Sequence, residues 1–171
     1  MKKLFLGILL ATSFCYAQNK DVFDTARSGT VEEMKLLVKK NKDTINAVNP
    51  SGFTPLILAC YRGNAPVAEY LAKNVKDVNF NTSNGTALAA VAVKGNTELA
   101  KVLLLNKANP NIADAAGVTP LVYAVQFENK ELIKLLLSYK ADKTKADAEG
   151  KTPYDHAVFT NNQEIINLLK Q

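Results

Sequence analysis

The chain is poor in the residue types that assemble reactive sites. Its 171 residues hold one histidine, His156, and two cysteines, Cys15 and Cys60. Cys15 falls in an N-terminal segment read below as removed. That leaves one imidazole and one thiol, too few for a four-ligand zinc site, and no partner for a disulfide, so stability must come from packing. The eight glycines are scattered singly. Neither G-x-x-x-x-G-K-S/T nor G-x-G-x-x-G occurs, so no nucleotide cradle is visible, and no cofactor or metal is expected. Beyond residue 17 no apolar run is long enough to cross a bilayer. The 21 basic and 16 acidic residues are interleaved along the chain rather than gathered in blocks. That is the pattern of a solvated surface and not of a nucleic-acid footprint.

What the N-terminus does have is a three-part leader. Lys2 and Lys3 precede the apolar stretch 4–11, and a short polar segment ends in Cys15, Tyr16 and Ala17. This is the pattern of a secretory signal peptide over residues 1–17, too short to span the bilayer, with small residues placed for cleavage before Gln18. The alternative is a lipoprotein with Cys15 acylated, but Phe14 is bulky where a small residue is usual. Removal leaves 154 residues with formal charge +3. They suffice for one domain with a substantial core, expected in the periplasm or outside the cell without membrane insertion. The two-lysine leader with its short apolar core reads as bacterial.

The rest of the chain repeats itself. "GFTPLILACYRGN" at 52–64 returns as "GVTPLVYAVQFEN" at 117–129 and "GKTPYDHAVFTNN" at 150–162, with a shorter copy, "GTALAAVAVKGN", at 85–96. Thr54, Thr86, Thr119 and Thr152 are 32, 33 and 33 residues apart, a period that means stacked units. Thr-Pro starts a helix, because Thr caps free N–H groups and Pro supplies the first helical φ; Thr86 keeps the cap without the proline. Leu56 with Ala59, Leu121 with Ala124 and Tyr154 with Ala157 mark a core-side face. The helix ends at Gly63, Gly95, Glu128 and Asn161, of which Glu128 is the poor choice for a left-handed residue. A second helix follows, with matching apolar sets: Val67, Tyr70 and Leu71; Leu99, Val102 and Leu103; Leu132, Leu135 and Leu136; Ile165, Leu168 and Leu169. Between units, "NFNTSNG", "NIADAAG" and "TKADAEG" read as hairpin-like fingers, with Asp114 and Asp147 placed to accept from nearby backbone N–H groups.

With this period, the Thr-Pro-Leu start, the Leu pair of helix two and the Asn-containing finger, the chain after the leader resembles the ankyrin repeat family. The resemblance implies an all-α repeat solenoid over 18–171. Its parts would be an N-terminal cap (19–49), repeats at 50–82, 83–115 and 116–148, and a C-terminal cap repeat (149–171), five helical pairs in all. The first unit lacks Thr-Pro-Leu but keeps Ala26, Gly29, Leu36 and Leu37, as a capping unit would. One residue is missing before Thr86, Ala87 replaces Pro and Val91 replaces the small Ala. These departures put the shape of the central finger in question, not the fold.

Candidate chemistry is thin. Cys60 and His156 lie three repeats apart, roughly 25 to 30 Å at 8 to 10 Å per packed helix, so they cannot form a nucleophile pair. Packing explains Cys60, and a partly buried structural role explains His156, which occupies the position of Leu58 and Tyr123. Asp147, Glu149, Asp155 and His156 gather near the last finger, where an enzyme or small-ligand site would need a closed pocket and a perturbed carboxylate. Capped helix starts account for Asp147 and Asp155 more simply. No catalytic set is expected, and what remains is a surface. The resemblance implies a concave face of fingers and exposed first-helix positions that holds a protein partner of unknown identity, the chain itself being a monomer. Positions that vary between copies there are Ser51, Phe53, Tyr61 and Arg62; Val93 and Lys94; Val118, Gln126 and Phe127; and Lys151, Phe159 and Thr160, with the finger residues Ser83, Asn84, Ala116 and Glu149 beside them. Four rings on a solvated face are what interface anchors are made of.

Overall fold

A computed structural model describes residues 20–170; the leader and its cleavage junction lie outside them. Among the described residues ten α-helices follow one another in five pairs. They are α1 (Val22–Ser28) with α2 (Val31–Lys40), α3 (Pro55–Arg62) with α4 (Ala65–Asn74), α5 (Ala87–Lys94) with α6 (Thr97–Leu105), α7 (Pro120–Gln126) with α8 (Lys130–Ser138), and α9 (Pro153–Thr160) with α10 (Gln163–Lys170). A short 3-10 turn, Lys42–Asn46, follows α2. Among the described residues there is no strand, only an isolated bridge between Thr82 and Gly85. The architecture is an all-α repeat solenoid whose fingers are tight turns rather than β-hairpins.

Each first helix starts where the threonine pattern places it. The hydroxyls of Thr54, Thr86, Thr119 and Thr152 accept from the N–H groups of Ile57, Ala89, Val122 and Asp155 at 3.2 to 3.3 Å. Three of these threonines are buried, so the bond also satisfies an oxygen that water cannot reach. The ends follow too: Gly63, Gly95, Glu128 and Asn161 all take positive φ. For Glu128 that conformation costs about 1–2 kcal/mol relative to glycine. Its carboxylate accepts from Asn162 Nδ2 of the next unit at 2.6 Å, a bond that glycine could not make.

A single core-side face understates the burial of the first helices. Residues 55–60 of α3 and 87–92 of α5 are buried without exception, because each of these helices is packed between its predecessor, its successor and its own second helix. The second helices are one-sided as the pattern requires: Val67, Leu71, Leu99, Leu103, Leu132, Leu136, Ile165 and Leu169 are buried, while Tyr70, Val102, Leu135 and Leu168 are half-buried. In α2 Met34 is the buried side chain and Leu36 turns to solvent. First helices pack on their neighbours more closely than second helices do, so the stack curves with the first helices on the inside.

Asparagines tie one unit to the next. Asn96, Asn129 and Asn162 cap the second helices through Oδ1, and Asn129 Nδ2 also donates to the carbonyl of Gly95 at 3.1 Å. Asn64 donates to the carbonyls of Ala26 and Gly29. Further along, Asn46, Asn79 and Asn111 accept from the backbone N–H of Lys76, Asn109 and Asp142 at 2.7 to 2.9 Å, each one repeat away.

Candidate protein-binding face

The fingers that frame the inner face are built alike. Asn49, Asp114 and Asp147 each accept two backbone N–H bonds from the residues two and four ahead: Ser51 and Phe53, Ala116 and Val118, Glu149 and Lys151. Asp147 therefore caps a finger turn and not a helix start, whereas Asp155 does form a helix-start capping box with Thr152. The missing residue before Thr86 shortens the central finger. Thr82 and Gly85 exchange both backbone bonds, and the Thr82 hydroxyl accepts from Asn84 N in place of an Asx oxygen. Neighbouring fingers are joined by Ala115 N to Ser83 O at 3.1 Å and Ala148 N to Ala116 O at 2.9 Å.

The second oxygen of each finger aspartate reaches the first helix behind it. Asp114 accepts from the Tyr123 hydroxyl at 2.6 Å, and Asp147 lies 2.8 Å from His156 Nε2. Tyr123 and His156 hold the same position in successive units, so the histidine is a finger anchor, its side chain 14% exposed beside a carboxylate at 6%. Burial, with Asp114 second, pushes the Tyr123 phenol up to about 12. The Lys151 backbone N–H, with His156 second, holds Asp147 below the ordinary carboxylate value; the Thr152 hydroxyl does the same for Asp155. Both carboxylates are thus committed to backbone and cap bonds and held ionised. Glu149 pairs with Lys151 at 2.7 Å in solvent. The depression lined by Lys134, Leu137, Ala141, Lys143 and Leu168 lies on the second-helix side, and none of Asp147, Glu149, Asp155 and His156 borders it.

A pH prediction arises here. A carboxylate with a depressed folded pKa contributes stability that is present above its unfolded value, about 3.9, and lost as pH falls through the folded one. The neutral amide of an asparagine side chain in place of Asp147 could still accept both turn bonds, as Asn49 does in the first finger. Asp147→Asn should therefore be less stable than the native protein near neutral pH, with the gap closing in acid. Urea titrations across that range check this; a gap unchanged into acid would mean that the charge is not its source.

Cys60 and His156 stay apart. Cys60 is fully buried on α3, with α5 and α7 packed between it and α9. Burial pushes its thiol up, the opposite of what a thiolate nucleophile requires.

The candidate surface residues divide by exposure. Tyr61 is 46% exposed, Phe127 56% and Phe159 91%, while Phe53 is half-buried and packs against the core. Ser51, Arg62, Lys94, Gln126 and Lys151 are exposed; Val93 and Val118 are partly buried. Lys94 Nζ lies over the Tyr61 ring at 4.5 Å, joining two units through a cation–π contact. Gln126 Nε2 is 3.4 Å from His156 Nδ1, joining two more.

The family model for ankyrin repeats (3 copies) matches residues 22–114 and 87–171. The chain belongs to the ankyrin-repeat family. Among curated relatives, it is 31% identical over 101 residues to the ankyrin repeat and SAM domain-containing protein 6 of Rattus norvegicus, covering 58% of this chain and 11% of that one. It is 35% identical over 89 residues to the protein fem-1 homolog A-like of Mus musculus (52% and 14%) and 35% identical over 119 residues to inversin of Gallus gallus (69% and 10%). The chain thus spans about a tenth of the length of these relatives. Ankyrin repeats are a general protein–protein interaction module. Among the described residues of this ankyrin stack, no helix is long and apolar enough to cross a membrane.

Proposed function

We propose that this protein is an exported bacterial ankyrin-repeat protein without catalytic activity, whose inner face grips one protein partner in the periplasm or outside the cell. Two roles suit it: inhibitor or immunity partner of a secreted toxin, or accessory to an envelope enzyme. The observation that carries the reading is the row of exposed side chains at the ends of the first helices, Tyr61 with Lys94 of the next unit over it, then Phe127 just after α7, then Phe159. Aromatic anchors of this kind dominate binding energy where they fill a partner's pockets, about 2 kcal/mol or more each.

The test is affinity capture from envelope and culture fractions with the native protein and with Tyr61→Ser, Phe127→Ser and Phe159→Ser combined. Phe53 is left intact because it packs on the core. The expected result is one protein retained by the native form and lost by the folded triple variant, with the ankyrin-repeat protein purified from those fractions beginning at Gln18. Equal retention by both would remove the inner face from the interaction. A chain starting at Met1, or one lipidated at Cys15, would overturn soluble export.

A further inference from the structure

The repeat gathers onto one edge of the stack charges that the sequence interleaves. The last turns of the second helices and the loops after them, residues 39–43, 73–77, 107 and 140–145, hold nine lysines against three aspartates. The remainder of residues 20–170 carries ten basic and thirteen acidic side chains. One edge therefore holds more than the whole net positive charge of the described protein. The loops are stacked, not merely similar: Asn79 Nδ2 donates to the carbonyl of Lys107, Asn111 Nδ2 to that of Lys140, and Lys76 pairs with Asp43.

Helix dipoles explain part of this row, since Lys39, Lys40 and Lys73 sit in last turns. They do not explain the rest. The last turns of α6 and α8 hold no basic residue, and their lysines come afterwards, Lys107 and Lys140 at positive φ in place of the usual glycine. Neither makes an ion pair with another described residue.

We propose that this edge docks on an anionic phospholipid surface. Every cation in it is lysine, a point charge suited to phosphate without the forked geometry that reads base edges. The exposed apolar side chains beside it are Leu105, 65% exposed, and Phe80, 37%. They fit the headgroup–acyl boundary, whereas one ring is too few for a base-stacking platform. Lysines near such a surface contribute about 1 kcal/mol each and lose it within a Debye length of about 8 Å. The second helices, eight to ten residues long, hold the opposite edge about 12–15 Å away, so binding would be one-sided.

Co-sedimentation of the full chain with vesicles tests this, using pure phosphatidylcholine and an equal mixture with phosphatidylglycerol. Lys107→Glu with Lys140→Glu is compared with Arg27→Glu and Lys130→Glu, which removes the same charge from the opposite edge. Residues 1–19 are common to both, so their contribution cancels, and circular dichroism checks the folding of each. The expected result is binding that requires phosphatidylglycerol, falls steeply with salt, weakens by at least about thirty-fold in the first pair and changes little in the second. Equal losses in both pairs would reduce the effect to net charge and overturn the proposal, as would no dependence on phosphatidylglycerol. Tighter edge-dependent binding to DNA than to vesicles at the same salt would overturn the choice of occupant.

Discussion

Leu103→Ala is expected to destabilise the protein by about 2–5 kcal/mol, a large part of the 5–15 kcal/mol that holds a domain of this size. Leu103 is fully buried in α6, which packs on α5 and between α4 and α8 at the middle of the stack. Truncation removes apolar contacts that short helices need, since α6, at nine residues, would not persist alone. Two residues along the same helix, Leu105 is 65% exposed, and Leu105→Ala should fall within about 0.5 kcal/mol of the native protein. In a solenoid each unit is held chiefly by its neighbours, so loss at the centre should also broaden the unfolding transition as the two halves uncouple. Urea unfolding followed by circular dichroism measures both quantities. Equal midpoints for the two variants would contradict the one-sided burial of the second helices.

That burial was legible because it is local. A threonine three residues before the N–H it caps, and apolar positions three and four apart, declare themselves within one turn of helix, and the repetition of Thr54, Thr86, Thr119 and Thr152 gave four chances to read them. Contacts one repeat away were not legible. Asn64, Asn96, Asn129 and Asn162 read as helix breakers; three of them cap the next helix, and Asn64 and Asn129 also bind backbone carbonyls of the unit before. The same distance hid the pairing of Tyr61 with Lys94, while the anchoring of fingers by Tyr123 and His156 spans nine residues, beyond one turn of helix, and the burial of Phe53 depends on packing against the core. Charge was the most misleading signal: lysines alternate with acids along the chain, but a period near 33 stacks equivalent positions in space. A local reading of sign cannot register an edge.

Gly117→Ala should cost about 1.5–3.5 kcal/mol. Two terms combine. Gly117 has φ of 77°, a conformation that costs a residue with a Cβ about 1–2 kcal/mol. The new Cβ would also stand 2.8 Å from Ala148 N and 3.0 Å from Asp147 C, backbone atoms that cannot swing aside as a side-chain end would. Relief requires the last finger to move off the third, breaking the Ala148 N to Ala116 O bond, worth about 0.5–1.5 kcal/mol net. Asp147, which that finger carries, would move relative to His156 on α9. Gly52 separates the terms: its φ is 84°, but a Cβ there meets nothing within 4 Å. Gly52→Ala should therefore cost only the conformational part, about 1–2 kcal/mol. The excess of the first variant over the second, from urea midpoints, reads the contact between fingers, and faster hydrogen exchange at the Ala148 amide should accompany it. If the two substitutions cost the same, the fingers stand independently, and the inner face is aligned by its helices alone.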